Sequence, residues 1–245
     1  MACAALIDFW LLERLFRDAW PALEEHEADG WLARLTGGDT RRPNAINPLG
    51  LNAGDVGVAI ETFRAAYAAA GLRLIVRLPD FCGQADAALE ALGMRIEGKT
   101  RTLAADLTGR TMPQHPGLML APHPTRDWIA ARAGPNGDPV TQALLDRLAI
   151  PALFATVRAN GAVAAIGYAA IDQGVAVIES IRTMPAFRRR GLGSVCVEAL
   201  LAGAATAGAH TAALQVDAAN QAGLALYARL GFDRHLYDYH YRVPG

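Results

Sequence analysis

Residues 188 to 194 read Arg-Arg-Arg-Gly-Leu-Gly-Ser, three guanidinium side chains running into two glycines one residue apart. Such a stretch suits a phosphate cradle, a nucleic-acid patch or a basic loop before a helix. Its context narrows the choice. The strand-like run Val-Ala-Val-Ile-Glu-Ser-Ile-Arg-Thr, residues 175 to 183, leads through Met184 to Phe187 into the arginines, and a helix-like run from about 191 to 207 follows. A helix N terminus leaves N–H groups unpaired and turns the positive end of its dipole outward. Glycines there let a ligand approach the backbone, and arginines add charge-assisted hydrogen bonds. The combination is suited to a diphosphate. Two rival phosphate motifs fit poorly. A P-loop needs Lys-Ser/Thr directly after its second glycine, whereas Gly193 is followed by Ser194 and Val195. A dinucleotide fingerprint wants a third glycine where Cys196 stands, and a parallel strand–helix–strand unit opening on the first strand; here a meander of three antiparallel-looking strands comes first.

Other residues with chemical potential are weaker. Glu179 is a carboxylate inside an apolar strand, where its neighbours Ile178 and Ser180 face the opposite side; it needs either an ion pair, with Arg182 near in sequence, or a role in a site. Tyr227 follows Asn220 by seven residues, two helical turns on and close to the same face, and Asn220 stands where a helix cap belongs. His235 and His240 are five apart in one strand, point to opposite faces and cannot share a metal. His115 and His123 fall in a proline-rich stretch and read as solvated. No His-Glu-x-x-His or Gly-x-Ser-x-Gly occurs, so neither a zinc hydrolase nor a serine hydrolase is indicated, and no metal is expected. Cys196 reads as a small packed apolar residue. The basic Thr-Arg-Arg-Pro-Asn at 40 to 44 reads as a solvated strand end.

Thr183-Met184-Pro185-Ala186-Phe187-Arg188-Arg189-Arg190-Gly191-Leu192-Gly193 resembles the signature of the GCN5-related N-acetyltransferases (GNAT family), Gln/Arg-x-x-Gly-x-Gly/Ala after a strand. A second family feature is similar in order and spacing: Asn220, then Leu226-Tyr227, then Gly231-Phe232. The resemblance covers residues 115 to 245 well. It implies acetyl-CoA as acyl donor. Backbone groups of Ile181, Arg182 and Thr183 would pair with the pantetheine arm like an added strand. The amides of Arg189, Arg190, Gly191, Leu192, Gly193 and Ser194 would bind the diphosphate, with Arg188 flanking it. Asn220 would contact the arm, Tyr227 would serve the sulfur as an acid, and Glu179 would act as base, directly or through water.

The rest of the chain must position these residues. It has 245 residues, 52% of them hydrophobic, and a formal net charge of −1, enough for a substantial core and too neutral for a general nucleic-acid binder. Cys3, Cys82 and Cys196 are odd in number with no paired spacing, which suits a reducing compartment. The apolar N terminus is interrupted by Asp8, Glu13 and Arg14 and reads as an amphipathic helix over 4 to 18, not a signal peptide; no stretch spans a bilayer, so a cytoplasmic protein without membrane partners is expected. Strands surround a Gly37-Gly38-Asp39 turn. A helix over 54 to 70, a strand from Leu72, a helix over 83 to 93 and a strand over 94 to 107 follow. Residues 111 to 124 hold prolines and one short strand. Helices over 125 to 133 and 139 to 149 come next, the second capped by Asp138, then strands separated by turns at Asn160-Gly161 and Gln173-Gly174. The helix from 191, a strand over 211 to 217, a helix over 220 to 230 and a strand over 232 to 242 complete the chain.

The segment through Gly93 and Met94 resembles that through Gly231 and Phe232 at an offset of 138 residues; at 137, Pro48 falls on Pro185 and Gly54 on Gly191. Chance matching of Ala-, Leu- and Gly-rich segments is one explanation and duplication the other; shared element order favours duplication. The first copy has Leu-Asn-Ala-Gly-Asp-Val where the second has the arginines. The expected fold is α+β, two GNAT-like halves, each a mostly antiparallel mixed sheet flanked by helices. The expected domains are a degenerate half at 1–110, a linker at 111–124 and a catalytic half at 125–245. The expected function is direct acetyl transfer to a primary amine of a small molecule or peptide, with a CoA-binding regulatory module as the alternative. Oligomeric state stays open.

Overall fold

The computed structural model describes residues 7–38, 40–134 and 139–245. Helix α1 (Phe9–Ala19) starts at Asp8, whose carboxylate accepts from the Trp10 amide. Strands β1 (Glu24–Ala28) and β2 (Trp31–Leu35) form a hairpin through Asp29-Gly30, both left-handed at φ +47° and +76°. After a single 3-10 turn come β3 (Ile46–Pro48), α2 (Val56–Ala69), β4 (Val76–Pro79), α3 (Gly83–Ala91) and β5 (Arg95–Asp106). The second half runs β6 (Leu118–Ala121), α4 (Arg126–Ala133), α5 (Pro139–Leu145), β7 (Ala152–Ala159), β8 (Ala162–Asp172), β9 (Val175–Thr183), α6 (Leu192–Thr206), β10 (Thr211–Asp217), α7 (Gln221–Arg229) and β11 (Arg234–Val243).

The chain forms two compact units, Met1–Gly98 with Tyr239–Gly245, and Lys99–Asp238. In the first, β2 pairs antiparallel with β1 and β3, β3 runs parallel to β4, and β4 pairs antiparallel with Tyr239 to Arg242 of β11. In the second, β6, β7, β8 and β9 form an antiparallel meander, β9 runs parallel to β10, and β10 pairs antiparallel with Thr100 to Asp106 of β5. Each sheet is mixed, mostly antiparallel and flanked by helices, the fold class expected from the sequence. Each also takes its closing strand from the other half of the sequence, and this accounts for the unit boundary at Gly98 and Lys99. Among the described residues no helix is long and apolar enough to cross a membrane.

In the second unit α6 buries Cys196, Val197, Leu200, Leu201 and Ala204 in a core shared with Ala165, Ile178 and Leu214 of the sheet. Gly167 of β8 allows Ile181 to lie across the sheet: a Cβ there would overlap Ile181 Cδ1. In the first unit Trp31, Phe63, Tyr67, Val76, Leu78 and Leu89 share a core. There Glu13 and Arg77, 2% and 3% exposed, form a buried ion pair, and the Arg77 guanidinium lies 3.7 Å from the centre of the Tyr239 ring.

Several expectations need adjustment. The acidic Glu-Glu-His-Glu-Ala segment, for which no element is expected, is a strand; the strand after the Gly37-Gly38-Asp39 turn is confined to Ile46–Pro48; and α5 ends at Leu145 instead of residue 149. Residues 4 to 6 of the expected first helix, Cys3, Asp39 and the expected cap Asp138 lie outside the described residues.

Candidate active site

The site grows from one irregularity in β9. Ile166 pairs with Arg182 and Tyr168 with Glu179, so two residues of β9, Ser180 and Ile181, face the single Gly167 of β8. This is a β-bulge, and Ser180 takes a left-handed conformation (φ +54°) that side chains adopt only under strain. Two bonds from α4 hold it: Arg132 Nε donates to Ser180 Oγ at 3.2 Å, and Arg182 Nη1 donates to the Arg132 carbonyl at 2.8 Å. At the same point β9 leaves β10. Their parallel register runs from Val175 opposite Thr211 to Ile178 opposite Leu214, while β9 continues to Thr183 and β10 to Asp217. Among the described residues no strand pairs with the β10-facing edge of β9 beyond Ile178.

The parted strand leads to the Arg-Gly turn. Arg189 (φ +57°) and Gly191 (φ +77°) are both left-handed, and Gly191 is the N-cap of α6, with no side-chain cap bond. The Val195 amide reaches the Gly191 carbonyl at 3.1 Å, which leaves the preceding amides of the first turn outside the helical ladder. A Cβ on Gly191 would meet nothing within 4 Å, so the turn is open. Arg188, Arg189 and Arg190 are exposed around it; Arg188 Nε makes a long 3.4 Å bond to the Thr183 carbonyl, and the Arg190 guanidinium lies 5.6 Å from the Phe187 ring centre. The Thr183 hydroxyl sits beside Gly193, 2.8 Å from where a Cβ there would be.

Glu179 is 5% exposed, at the head of the strand split. Tyr227, half-buried on α7, has its ring edge on Phe232 at 5.8 Å between centres. Burial first, then the Glu179 carboxylate and Cys196, push the Tyr227 phenol up to about 12. Glu179, Tyr227 and Cys196 therefore share one neighbourhood. Burial alone pushes the Cys196 thiol up to about 12, which keeps it neutral and unreactive.

The expected site residues divide accordingly. Arg188 to Ser194 make up the turn after β9, with the Leu192 side chain buried in the core; Thr183 ends β9, Glu179 stands where β9 and β10 part, and Tyr227 on α7 is its neighbour. The Ile181 side chain packs into the sheet over Gly167 and that of Arg182 is spent on α4, so only their backbone faces the split. Asn220 caps α7, its Oδ1 accepting from the Gly223 amide at 2.9 Å. Sequence reasoning missed Arg132 and the bulge at Ser180. It also missed Trp128, fully buried, whose Nε1 donates to the Gly167 carbonyl at 3.1 Å and so supports the bulge from the far strand.

A parted parallel pair, a bulge and an open glycine turn at a helix N terminus together define a GNAT fold. The family described as probable histone acetyltransferase Rv0428c C-terminal matches residues 8–242, and the chain belongs to it. It is thus an acyltransferase of the GNAT class. Solved structures share the fold. A GCN5-related N-acetyltransferase from Kribbella flavida is 22% identical, with 97% of this chain and 94% of that one covered and a TM-score of 0.66. One from Sphaerobacter thermophilus is 15% identical, over 95% and 86%, at 0.60. A tandem GNAT protein from the clavulanic acid biosynthesis pathway is 14% identical, over 82% and 75%, at 0.58. No curated protein matches the chain.

The fold implies acetyl-CoA, and the residues present fit it: an uncapped, open helix N terminus, three exposed arginines and an adjoining unpaired strand edge. Among the described residues no group of three or more His, Cys, Asp or Glu could hold a metal ion.

Proposed function

We propose that the protein is an acetyl-CoA-dependent N-acetyltransferase that moves the acetyl group directly to a primary amine of a small molecule or peptide. The observation that carries this reading is the parting of β9 from β10 after Ile178, with Glu179 at its head and the α6 N terminus at its end. In this reading the first amides of α6, with Arg188 and Arg190, hold the diphosphate. The edge of β9 from Ile181 to Thr183 orients the arm as an added strand would, and Asn220, besides capping α7, contacts it further along. Acetyl-CoA supplies, when bound, an acetyl group activated as a thioester. Glu179 takes the proton that the acceptor ammonium must lose, directly or through water. Tyr227, its phenol held protonated by burial, donates to the sulfur as thiolate character develops. The neutral buried Cys196 supports direct transfer without an acyl-enzyme. The matching family's description, a probable histone acetyltransferase, agrees with an amine acceptor.

The first unit reads as a second GNAT-like half that has lost its cradle. Its order β3, α2, β4, α3, β5 repeats β9, α6, β10, α7, β11, and each set holds one parallel pair. In that ancestry residues 1–110 descend from one copy and 125–245 from the other, with 111–124 joining them.

The test is thiol release from acetyl-CoA across a panel of primary amines and lysine peptides, with mass spectrometry of the product. Amine-dependent release with an acetylated product is expected. Tight acetyl-CoA binding with no release for any amine would replace the transferase with a CoA-binding regulatory module.

A further inference from the structure

The first unit holds a cavity of about 620 Å³, within the range of small-molecule sites. Its walls come from the loop Gly50 to Gly54, the start of α2 at Asp55 and Val56, the start of α3, and the rings of Trp31 and Phe81. The position is telling. The parallel pairing of β3 with β4 is confined to Ile46 opposite Val76, and both strands run on, to Pro48 and Pro79. The cavity lies past this parting, where the starts of α2 and α3 meet, as the Arg-Gly turn lies past the parting in the second unit.

Its chemistry is reversed. α6 begins on a bare glycine amid three arginines. α2 begins on Asp55, whose carboxylate accepts from the Val58 amide at 3.0 Å and already occupies the helix N terminus. A second carboxylate, Asp29, lies against Gly54, where any Cβ would overlap it. No lysine or arginine lines the cavity among the described residues. The Cys82 thiol is pushed up to about 12, by burial first and then by Glu13, and stays neutral. The α3 N terminus has no side-chain cap and offers amides to a neutral oxygen. Its helix dipole amounts to roughly half a positive charge, and two full negative charges outweigh that. A diphosphate entering here meets the Asp55 carboxylate, with that of Asp29 nearby against Gly54, and a helix end already capped. An ammonium on an apolar body meets the Asp55 carboxylate among lining residues that include the aromatic side chains of Trp31 and Phe81.

We propose that this cavity is a binding site for a small organic cation, a protonated amine on an apolar body, and that it does not accept CoA. The proposal rests on the cavity and its charges, so failure of acetyl transfer in the second unit would leave it standing.

The test is isothermal titration calorimetry of the full chain without acetyl-CoA, using phenethylamine and its anionic near-isostere 3-phenylpropionate at neutral pH. Asp55→Asn removes the charge and keeps a helix-capping side chain. Leu51→Lys adds a cation at the rim, where Leu51 is 71% exposed and folding does not depend on it. Phenethylamine is expected to bind at least about tenfold more tightly than 3-phenylpropionate, and each variant is expected to weaken it about three- to tenfold. Acetyl-CoA affinity is expected to stay within about twofold in both variants. The proposal is overturned by absence of phenethylamine binding at millimolar concentration or by equal affinity for the two probes. Wild-type phenethylamine affinity in both folded variants would also overturn it, because binding would then lie elsewhere. A matching loss of acetyl-CoA affinity in the variants would place CoA in this cavity and defeat it as well.

Discussion

Tyr227→Phe removes one oxygen from the candidate site and little else. The ring keeps its edge contact with Phe232 at 5.8 Å. Loss of the half-buried hydroxyl should cost about 1 kcal/mol of stability at most. The Arg-Gly turn and the edge of β9 are untouched, so the dissociation constant of acetyl-CoA should change less than about threefold. If the phenol serves the leaving sulfur, kcat should fall by roughly 10²- to 10⁴-fold, or about 3 to 5 kcal/mol of barrier. The pH profile adds a second reading. Burial and the nearby Glu179 push this phenol up to about 12, so its proton is retained well past the ordinary tyrosine range. Wild-type kcat should therefore show no alkaline decline from this group up to about pH 10, where an unshifted tyrosine would be half ionised. The assay is steady-state thiol release at saturating acetyl-CoA from about pH 6 to 10, with calorimetry for binding. A variant turning over within about threefold of wild type at every pH would refute the acid role. So would a fall in rate matched by an equal fall in affinity, since that would mark Tyr227 as a packing residue only.

Three other outcomes follow from the structure. Glu13→Gln leaves Arg77 charged, buried and without its anion, and should lower stability by about 3 to 5 kcal/mol in urea unfolding, whereas Glu13→Leu combined with Arg77→Met should recover most of it; an unchanged midpoint in the single variant would contradict the buried pair. Gly167→Ala should push Ile181 off the sheet, lowering stability by about 1 to 3 kcal/mol and weakening acetyl-CoA binding through the displaced strand; loss of stability with wild-type binding would separate Ile181 from the arm. Tyr67, Tyr227 and Tyr241 all have phenols raised by burial, so the unfolded chain loses these protons at lower pH than the folded one. Their contribution is complete below the ordinary tyrosine pKa of about 10 and declines as pH climbs through the raised values. Urea midpoints should fall steeply above about pH 10, with phenolate absorbance appearing as the chain unfolds; phenolate appearing in the folded protein at that pH would contradict the burial.

The candidate site was more legible than the architecture around it, for physical reasons. An open turn at a helix N terminus needs bare backbone at fixed places, and the glycines at 191 and 193 with their arginines display it locally. The α6 helix, expected over 191 to 207, runs from Leu192 to Thr206. The left-handed turns at Asn160-Gly161 and Gln173-Gly174 were equally legible, because Gly and Asn at such positions carry their conformation in their identity. The same logic applied to Asp29-Gly30, yet β1 went unread: four ionisable residues in a row hide the alternation that marks a strand. The bulge had no such mark. Ser180 at positive φ is a choice imposed by Gly167, Arg132 and the departing β10, all distant in sequence. The exchange of β5 and β11 was out of reach for the same reason, since local pattern says that a segment is a strand but not which strand it will join. The repeat pointed to Gly54 as the counterpart of Gly191, but only the fold reveals that Asp55 lines a cavity there and that Asp29 lies against Gly54.

The proposed acetyl transfer depends above all on the turn before α6 holding a diphosphate. Calorimetric titration of acetyl-CoA into the wild-type protein and into Arg188→Ala/Arg190→Ala tests it most directly, with an acetyl-pantetheine analogue that lacks the nucleotide and diphosphate as the control ligand. Saturable binding of acetyl-CoA to wild type is expected, weakened at least about tenfold in the double variant, with a change of less than about twofold for the control ligand. Absence of binding heat with acetyl-CoA, or equal losses for both ligands, would contradict it.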